Sequence, residues 1–296
     1  MELVEIIRVG NSLGEGVLWD EHAQALWWTD IAERKLYRYD WNSRRIEQFT
    51  TPERLCSFGF VRGADRLIAA FESGFALYDP KAGDIAWLSR LNEPGLRLND
   101  GKVDVMGRFW AGSTAETGAA RGKASLYCVD GFGRVACREQ GITISNGIAF
   151  STDGTRLYFA DSAVRTIWQY ALDPQAGQIS NRQFFAETPP GAEPDGAAVD
   201  TEGFVWSAQW GASRIVRYAP NGRIDAILET PVRLPTCVTF GGPGLDHLIV
   251  TTARLGLDSE VLDGEPDAGD VLVYSTESFG QPANRYLLGR DEWGQR

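Results

Sequence analysis

The chain has 296 residues and a formal net charge of −11, from 40 acidic residues against 29 lysines and arginines. This balance argues against a nucleic-acid partner, because binding to a phosphate backbone requires clustered basic side chains. No apolar stretch approaches the length of a membrane span and the first residues do not resemble a secretory signal, so we expect a cytoplasmic protein without a membrane partner.

Short strand patterns separated by turn residues follow one another along the whole chain. One apolar run that ends beside a turn occurs six times, at residues 37–40, 76–79, 125–128, 167–170, 215–218 and 271–274. A further run follows most of these turns, as at 46–49, 85–88 and 224–228. This pattern is typical of antiparallel hairpins.

The units start at six equivalent positions: Glu15, Leu55, Asn99, Asn146, Asp195 and roughly Thr236. Four antiparallel strands per unit, repeated six times, predict an all-β fold, the six-bladed β-propeller. The leftover run at residues 3–9 is expected to join the last blade and close the ring. No linker divides the sequence, which predicts a single domain over residues 1–296.

Tryptophans on the second and third strands are expected to fill the wedges between blades, namely Trp19, Trp27, Trp110, Trp168 and Trp206. Trp210 follows the second strand of its blade. Its side chain could therefore lie in the core or face the opening of the central channel. The acidic segment 254–270 is expected to form a long loop over one mouth. Both a substrate-shaping lid and a solvated surface loop are consistent with its composition.

Residue types used by many hydrolases and metalloenzymes are scarce. Only two histidines occur, His22 and His247, which disfavours a His-rich zinc site and a catalytic triad. The four cysteines form no C-x-x-C pair, and buried, reduced thiols are expected. Cys128 and Cys137 flank a glycine turn, so a hairpin that brings them face to face is the alternative.

Oxygen-bearing side chains occupy four of the six repeat positions. The innermost strand of a propeller blade lines the central channel, so Glu15, Asn99, Asn146 and Asp195 are expected at one mouth. Carboxylates with amide carbonyls suit Ca²⁺, Mg²⁺ or Mn²⁺, and also Zn²⁺. The alternative is that Asn and Asp before Gly only form a turn, but that does not explain Glu15 in the first blade. We therefore predict a site for one divalent cation.

The chain resembles the SMP-30/gluconolactonase/regucalcin-like family of sugar lactone hydrolases in several ordered motifs. These are LGEGVLW at 13–19, RLNDGK at 97–102, SNGIAF at 145–150, PDG at 194–196 and TTAR at 251–254. The resemblance implies the same six-bladed propeller. It implies three cation ligands, which match Glu15, Asn146 and Asp195. It also implies three residues that contact the lactone, which match Arg97, Asn99 and Glu116.

The predicted reaction is metal-dependent hydrolysis of an aldonolactone, with Ca²⁺ as the expected ion and Asp195 as candidate general base. A metal-bound hydroxide is the competing way to activate water. A pentonolactone such as arabinono- or xylonolactone is the expected substrate, with gluconolactone as the alternative. The protein is expected to be a monomer or weak homodimer. Two other classes stay open, a non-catalytic calcium-binding propeller and an esterase-like or phosphotriesterase-like one.

Overall fold

The computed structural model describes residues 1–91 and 93–289, which form six four-stranded antiparallel sheets. The sheets are the blades of a propeller, and the first strand of each blade contacts the first strands of its neighbours around a central channel. The predicted fold class is therefore confirmed. Among the described residues, no helix has the length and apolar character needed to cross a membrane.

The strands follow the chain from blade to blade, apart from the initial strand β1 (Glu2–Ile7). Blade one contains β2 (Gly14–Asp20), β3 (Ala25–Asp30), β4 (Lys35–Asp40) and β5 (Ile46–Thr50). Blade two contains β6 (Leu55–Phe60), β7 (Leu67–Phe71), β8 (Gly74–Asp79) and β9 (Asp84–Arg90). Blade three contains β10 (Leu96–Val103), β11 (Phe109–Ala115), β12 (Ala124–Val129) and β13 (Val135–Ile142).

Blade four contains β14 (Ser145–Phe150), β15 (Arg156–Asp161), β16 (Thr166–Asp173) and β17 (Gln178–Glu187). Blade five contains β18 (Glu193–Val199), β19 (Val205–Trp210), β20 (Arg214–Tyr218) and β21 (Ile224–Glu229). Blade six contains β22 (Pro235–Gly241), β23 (His247–Thr252), β24 (Val271–Ser275) and β1. Two 3₁₀ turns (Gly118–Ala120 and Ser162–Val164) and one helix, α1 (Ser259–Gly264), lie between strands.

Strand β1 closes the ring as predicted, because it pairs antiparallel with β24 over the register from Glu2 opposite Ser275 to Ile7 opposite Val271. A buried carboxylate secures the junction. Asp270 Oδ1 accepts hydrogen bonds from the backbone N–H groups of Val9 (2.8 Å) and Gly10 (2.9 Å). The first and the last strand of the chain thus share one blade.

Aromatic side chains fill the space between blades, as expected for Trp19, Trp27, Trp110 and Trp206, which are all buried. The indole N–H groups of two of them have carboxylate acceptors: Trp110 Nε1 donates to Asp104 (2.8 Å) and Trp206 Nε1 to Asp200 (3.0 Å). Trp168 lies at the edge of such a space: it is half-buried and packs against the core cluster between blades three and four, as expected. The guanidinium of Arg182 stacks 4.0 Å from its ring centroid.

All four cysteines are free. Cys128 pairs with Ala136 and Cys137 with Tyr127, so the two thiols do not face each other across the hairpin. The alternative of a facing pair is therefore wrong. Cys56, Cys128 and Cys237 are buried as expected, whereas Cys137 is exposed because it lies on the outermost strand of blade three.

The acidic segment 254–270 is not a loop throughout, because it contains helix α1, whose N-terminus is capped by Asp258 (2.9 Å to Val261 N). Its second half is tied to the rest of the molecule by Glu265, which pairs with Arg233 at 2.7 Å. Asp267 likewise pairs with Arg8 at 2.9 Å. These carboxylates are thus structural, while the idea of a lid stays a prediction.

Residues 279–289, called here the C-terminal strap, cross the end of the channel where the inner strands finish. Thr201 N donates to Phe279 O (2.8 Å) in the strap, and Tyr286 N donates to Phe60 O (2.7 Å). The Tyr286 side chain is fully buried between blades two and three, and its hydroxyl donates to the Asp130 carbonyl. The strap therefore links blades that are distant in the sequence.

Replacing Tyr286 by alanine should lower the free energy of unfolding by about 3–5 kcal/mol, because the change leaves a cavity in the core. The measurement is urea denaturation followed by tryptophan fluorescence. Phe279→Ala is the matched control: Phe279 is 52% exposed and touches blade five through its backbone, so a loss below about 1 kcal/mol is expected. Equal losses in the two variants would contradict the anchoring role of Tyr286.

Candidate functional site

A β-bulge interrupts the inner strand of every blade close to its repeat position. The pairing shifts directly after Glu15 and Asn146, and it shifts around Asp195 in the same way. A bulge redirects the side chains beside it. Gly16 and Gly147 follow the first two residues with φ angles of 60° and 61°, a left-handed conformation that favours glycine. The glycines of the sequence motifs therefore shape this mouth of the channel.

Three of the predicted residues meet where blades three and four adjoin. Arg97 Nη1 donates to Asn99 Oδ1 (2.6 Å), and Asn99 Nδ2 donates to Asn146 Oδ1 (2.7 Å). Asn99 Nδ2 also donates to the Ser145 carbonyl (2.9 Å). Asn99 and Asn146 are both buried, so these bonds hold the two amides in one orientation.

Glu116 follows β11 and reaches the same cluster, with Oε1 3.4 Å from Arg97 Nε. Its stronger partner is Arg54, whose guanidinium forms two bonds with the carboxylate (2.6 and 3.0 Å). Arg54 also pairs with Glu72 at 2.6 Å. The Arg54 hydrogen bonds lower the pKa of Glu116, so this carboxylate is ionised at neutral pH.

Like charges accumulate inside the mouth, next to this cluster. Burial raises the pKa of Glu15 to about 8, with a further rise from the charge of Asp100. Burial also raises the pKa of Asp195 well above its ordinary value, and the charges of Glu15, Asp100 and the nearby Glu193 add to the rise. The charge of Glu15 thus acts on Asp195, although the two residues belong to blades one and five.

Positive charge near these carboxylates is limited. Arg97 lowers the pKa of Glu15, but by less than burial raises it. The charge of Lys102 likewise lowers the pKa of Asp100. Asp100 Oδ2 also accepts a hydrogen bond from Ile148 N (2.9 Å). The pKa of Asp100 still lies above its ordinary value because of burial.

The residues at the mouth fit a divalent cation. Asp195 Oδ1 is buried and has no hydrogen-bond partner among residues 1–91 and 93–289. An unpaired, buried carboxylate oxygen beside a second carboxylate is costly unless positive charge compensates it. The described part of the chain contains no group of three or more His, Cys, Asp or Glu suited to a metal. The predicted set is of another kind, with two carboxylates and the amide oxygen of Asn146.

The remaining repeat positions contribute no such oxygen. Leu55 is buried and apolar. Thr236 Oγ1 is engaged within the protein, where it donates to Gly14 O and lies 2.9 Å from Thr251 Oγ1. Trp210 is half-buried and pairs with Glu193 at the start of β18, which places it near the mouth.

Three charged residues of the site were not predicted from the sequence. Asp100 and Lys102 stand beside Asn99 in the sequence motif, so their positions were a usable signal. Lys102 Nζ donates to the Ala197 carbonyl in the channel. Arg54 precedes the apolar Leu55, and nothing in the pattern there indicates a contact with Glu116.

Comparisons with known proteins identify the family of the chain. A sequence model of the family described as SMP-30/Gluconolactonase/LRE-like region matches residues 13–254. An L-arabinolactonase from Azospirillum brasilense is 36% identical over 286 residues, which cover 93% of this chain and 92% of that relative. A 6-deoxy-6-sulfogluconolactonase from Pseudomonas putida is 35% identical over 273 residues, with 90% and 92% covered.

One solved structure is similar over nearly its whole length. It is regucalcin from Agrobacterium tumefaciens, described as a calcium-binding protein, with a TM-score of 0.91 and 30% identity. The similarity covers 97% of this chain and 98% of that structure. The family match spans most of the sequence and includes Glu15, Asn146 and Asp195. The resemblance seen in the motifs is thus confirmed, and the chain belongs to the SMP-30/gluconolactonase/LRE-like family.

Proposed function

We propose that this protein hydrolyses a sugar lactone to the aldonic acid, with one divalent cation held by Glu15, Asn146 and Asp195. The observation that carries the proposal is the half-buried carboxylate of Glu15 together with the buried one of Asp195, whose Oδ1 lacks a partner among the described residues. Relatives named as lactonases at 35–36% identity support the reaction. The polar cluster beside the carboxylates supports an enzyme, because a simple ion-binding protein has no need of it.

Asp195 is the proposed general base. A bound divalent cation supplies a Lewis acid for the carbonyl or ring oxygen of the lactone. The carboxylate of Asp195 would accept a proton from the attacking water, and its Oδ1 is free of protein hydrogen bonds in the described structure. Because a nearby cation lowers the proton affinity of a carboxylate, position rather than a raised pKa makes Asp195 effective.

Arg97 and Asn99 are proposed to orient the sugar through complementary groups. Asn99 Nδ2 uses both hydrogens within the protein, but Oδ1 accepts only one bond and keeps a second lone pair. Within the described residues, Arg97 engages Nη1 and Nε and leaves Nη2 available. The pair can therefore donate to and accept from hydroxyl groups, which suits a polyhydroxylated lactone. Glu116 would hold Arg97 in place and lie beside the substrate.

We infer a pentonolactone as the first substrate, because the relative that is 36% identical is named an L-arabinolactonase. A gluconolactone is the alternative, which the relative named 6-deoxy-6-sulfogluconolactonase favours. Ca²⁺ is the proposed ion, since an all-oxygen donor set suits it and the similar regucalcin is described as calcium-binding. Zn²⁺, Mg²⁺ and Mn²⁺ are the alternatives.

Acid release from a panel of aldonolactones should exceed the spontaneous rate, be abolished by a chelator and return when a divalent cation is added. The measurement is proton release at constant pH, with arabinono-, xylono- and gluconolactone each tested against buffer alone. Cation binding without acid release from any lactone would instead support the calcium-binding platform. Acid release that a chelator leaves unchanged would contradict the cation requirement.

Asp195→Asn should reduce turnover by ~10²-fold or more while keeping much of the cation affinity, because the amide retains an oxygen but is no base. Lactone hydrolysis and cation titration are measured on the same preparation. Glu229→Gln is the control, since it removes an exposed carboxylate from the outermost strand of the same blade and should leave turnover nearly unchanged. Turnover close to that of the parent in Asp195→Asn would rule out the proposed role.

The cation-free protein should become less stable as the pH rises. The raised pKa of Glu15 means that the folded protein binds more protons than the unfolded chain between the ordinary value of 4.5 and about 8. The resulting stabilisation is complete below this window and is lost above it. The melting temperature in chelator should therefore fall from about pH 5 to pH 9, more steeply than in Glu15→Gln. An identical pH dependence of the two proteins would contradict the assignment.

A further inference from the structure

A directional chain of hydrogen bonds runs past the proposed cation ligand Asn146. Arg97 donates to Asn99, and Asn99 donates to Asn146 Oδ1. Asn146 Nδ2 in turn donates to Ser162 Oγ (2.9 Å). Ser162 Oγ donates to the carbonyl of Pro194 (2.7 Å), the residue directly before Asp195. All three of these final bonds are buried.

The groups at the two ends of this series of hydrogen bonds set its direction, because one end can only donate and the other can only accept. The guanidinium of Arg97 can only donate, so the Asn99 atom that it contacts is the carbonyl oxygen. Asn99 then presents its N–H groups to Ser145 O and Asn146. At the other end, the Pro194 carbonyl can only accept, so Ser162 spends its single proton there. Ser162 Oγ therefore receives a hydrogen from residue 146 and cannot also supply one.

The Ser162 hydroxyl is held in this position by its own backbone. Ser162 N donates to the Ile144 carbonyl (3.0 Å), and Arg165 N donates to Ser162 O (3.0 Å) in the 3₁₀ turn. The preceding Asp161 accepts bonds from Thr143 N and Ile144 N, both at 3.0 Å. The side chain of Ser162 is thus a fixed bridge from blade four to the inner strand of blade five.

We propose that Ser162 is a positioning residue of the cation site. It holds Nδ2 of Asn146 away from the mouth, so that the Asn146 oxygen stays on the side of Asn99, and it ties that amide to the backbone of Asp195. The arrangement also requires a neutral amide at position 146, because a carboxylate there would place an oxygen against a hydroxyl whose proton is already used. This inference rests on the ligand set of the proposed function.

Without the Ser162 hydroxyl, Asn146 Nδ2 loses its acceptor, so the amide can rotate and exchange the places of its nitrogen and oxygen. The Pro194 carbonyl also loses its buried donor. Removing partners that orient a metal ligand typically weakens metal binding by about 10–100-fold. Ser162→Ala should therefore weaken Ca²⁺ binding by about 10-fold or more, measured by isothermal titration calorimetry. It should also reduce the rise in melting temperature between chelator and saturating Ca²⁺.

Ser207→Ala is the matched control. Ser207 is a buried serine in β19 of blade five, and its hydroxyl contacts only the neighbouring Ala208 carbonyl (3.2 Å) among the described residues. This variant should bind Ca²⁺ like the parent. A merely structural role of Ser162 would lower the melting temperatures with and without Ca²⁺ equally and leave the dissociation constant unchanged.

Two results would overturn the positioning role: Ca²⁺ affinity unchanged in Ser162→Ala, or equal losses in Ser162→Ala and Ser207→Ala. Glu15→Ala separates this outcome from failure of the ligand set, since it should lose most Ca²⁺ affinity whatever Ser162 does. If Glu15→Ala binds weakly and Ser162→Ala binds like the parent, only the positioning role fails. If Glu15→Ala binds like the parent, or the parent binds no divalent cation, the ligand set fails and the role of Ser162 fails with it.

Discussion

Hydrogen bonds between the first and the last strand hold the propeller closed, and the position of each inner strand depends on that closure. Strand β1 completes the blade begun by β22, and Asp270 binds the backbone just beyond β1. Blades touch one another mainly through apolar faces, and the hydrophobic attraction between such faces has no preferred direction. The paired strands and the C-terminal strap fix the ring from two sides. Side chains from five blades can therefore meet at one mouth, although they are far apart in sequence.

The closed ring forces carboxylates together at that mouth, at a cost to stability. Glu15 and Asp195 both have raised pKa values because burial and the charges of neighbouring carboxylates, Asp100 among them, disfavour the charged forms. Hydrophobic packing between blades must compensate for this repulsion in the cation-free protein. A divalent cation would convert the same arrangement into a favourable one. Sites that store unfavourable electrostatics in this way are commonly functional.

Oriented amides accompany the charges and give the mouth its asymmetry. On one side, Arg97 and Asn99 carry unused hydrogen-bonding capacity for a ligand. On the other side, Ser162 accepts a hydrogen bond from Asn146 Nδ2 within the protein. The network has one polarity because its ends are groups that can only donate or only accept. A rigid polar wall beside a charged pair is suited to holding a polyhydroxylated substrate in one pose.

Much of this could be predicted from the sequence, because repeats and turn residues are local signals. The six strand units, the closing role of residues 3–9 and the repeat positions of Glu15, Asn146 and Asp195 follow from spacing alone. Local patterns misplaced Cys137, since exposure on an outer strand depends on neighbours that periodicity does not specify.

The sequence by itself thus determined the architecture and the blade position of each proposed ligand. Tertiary structure alone decided the contacts that give the site its chemistry. Arg54 meets Glu116 across 62 positions of the chain, and Ser162 meets Pro194 across 32. The raised pKa values likewise arise only when distant carboxylates share a buried mouth. The physical reason is that hydrogen-bond direction and desolvation depend on the surroundings of a side chain in space, which no local pattern encodes.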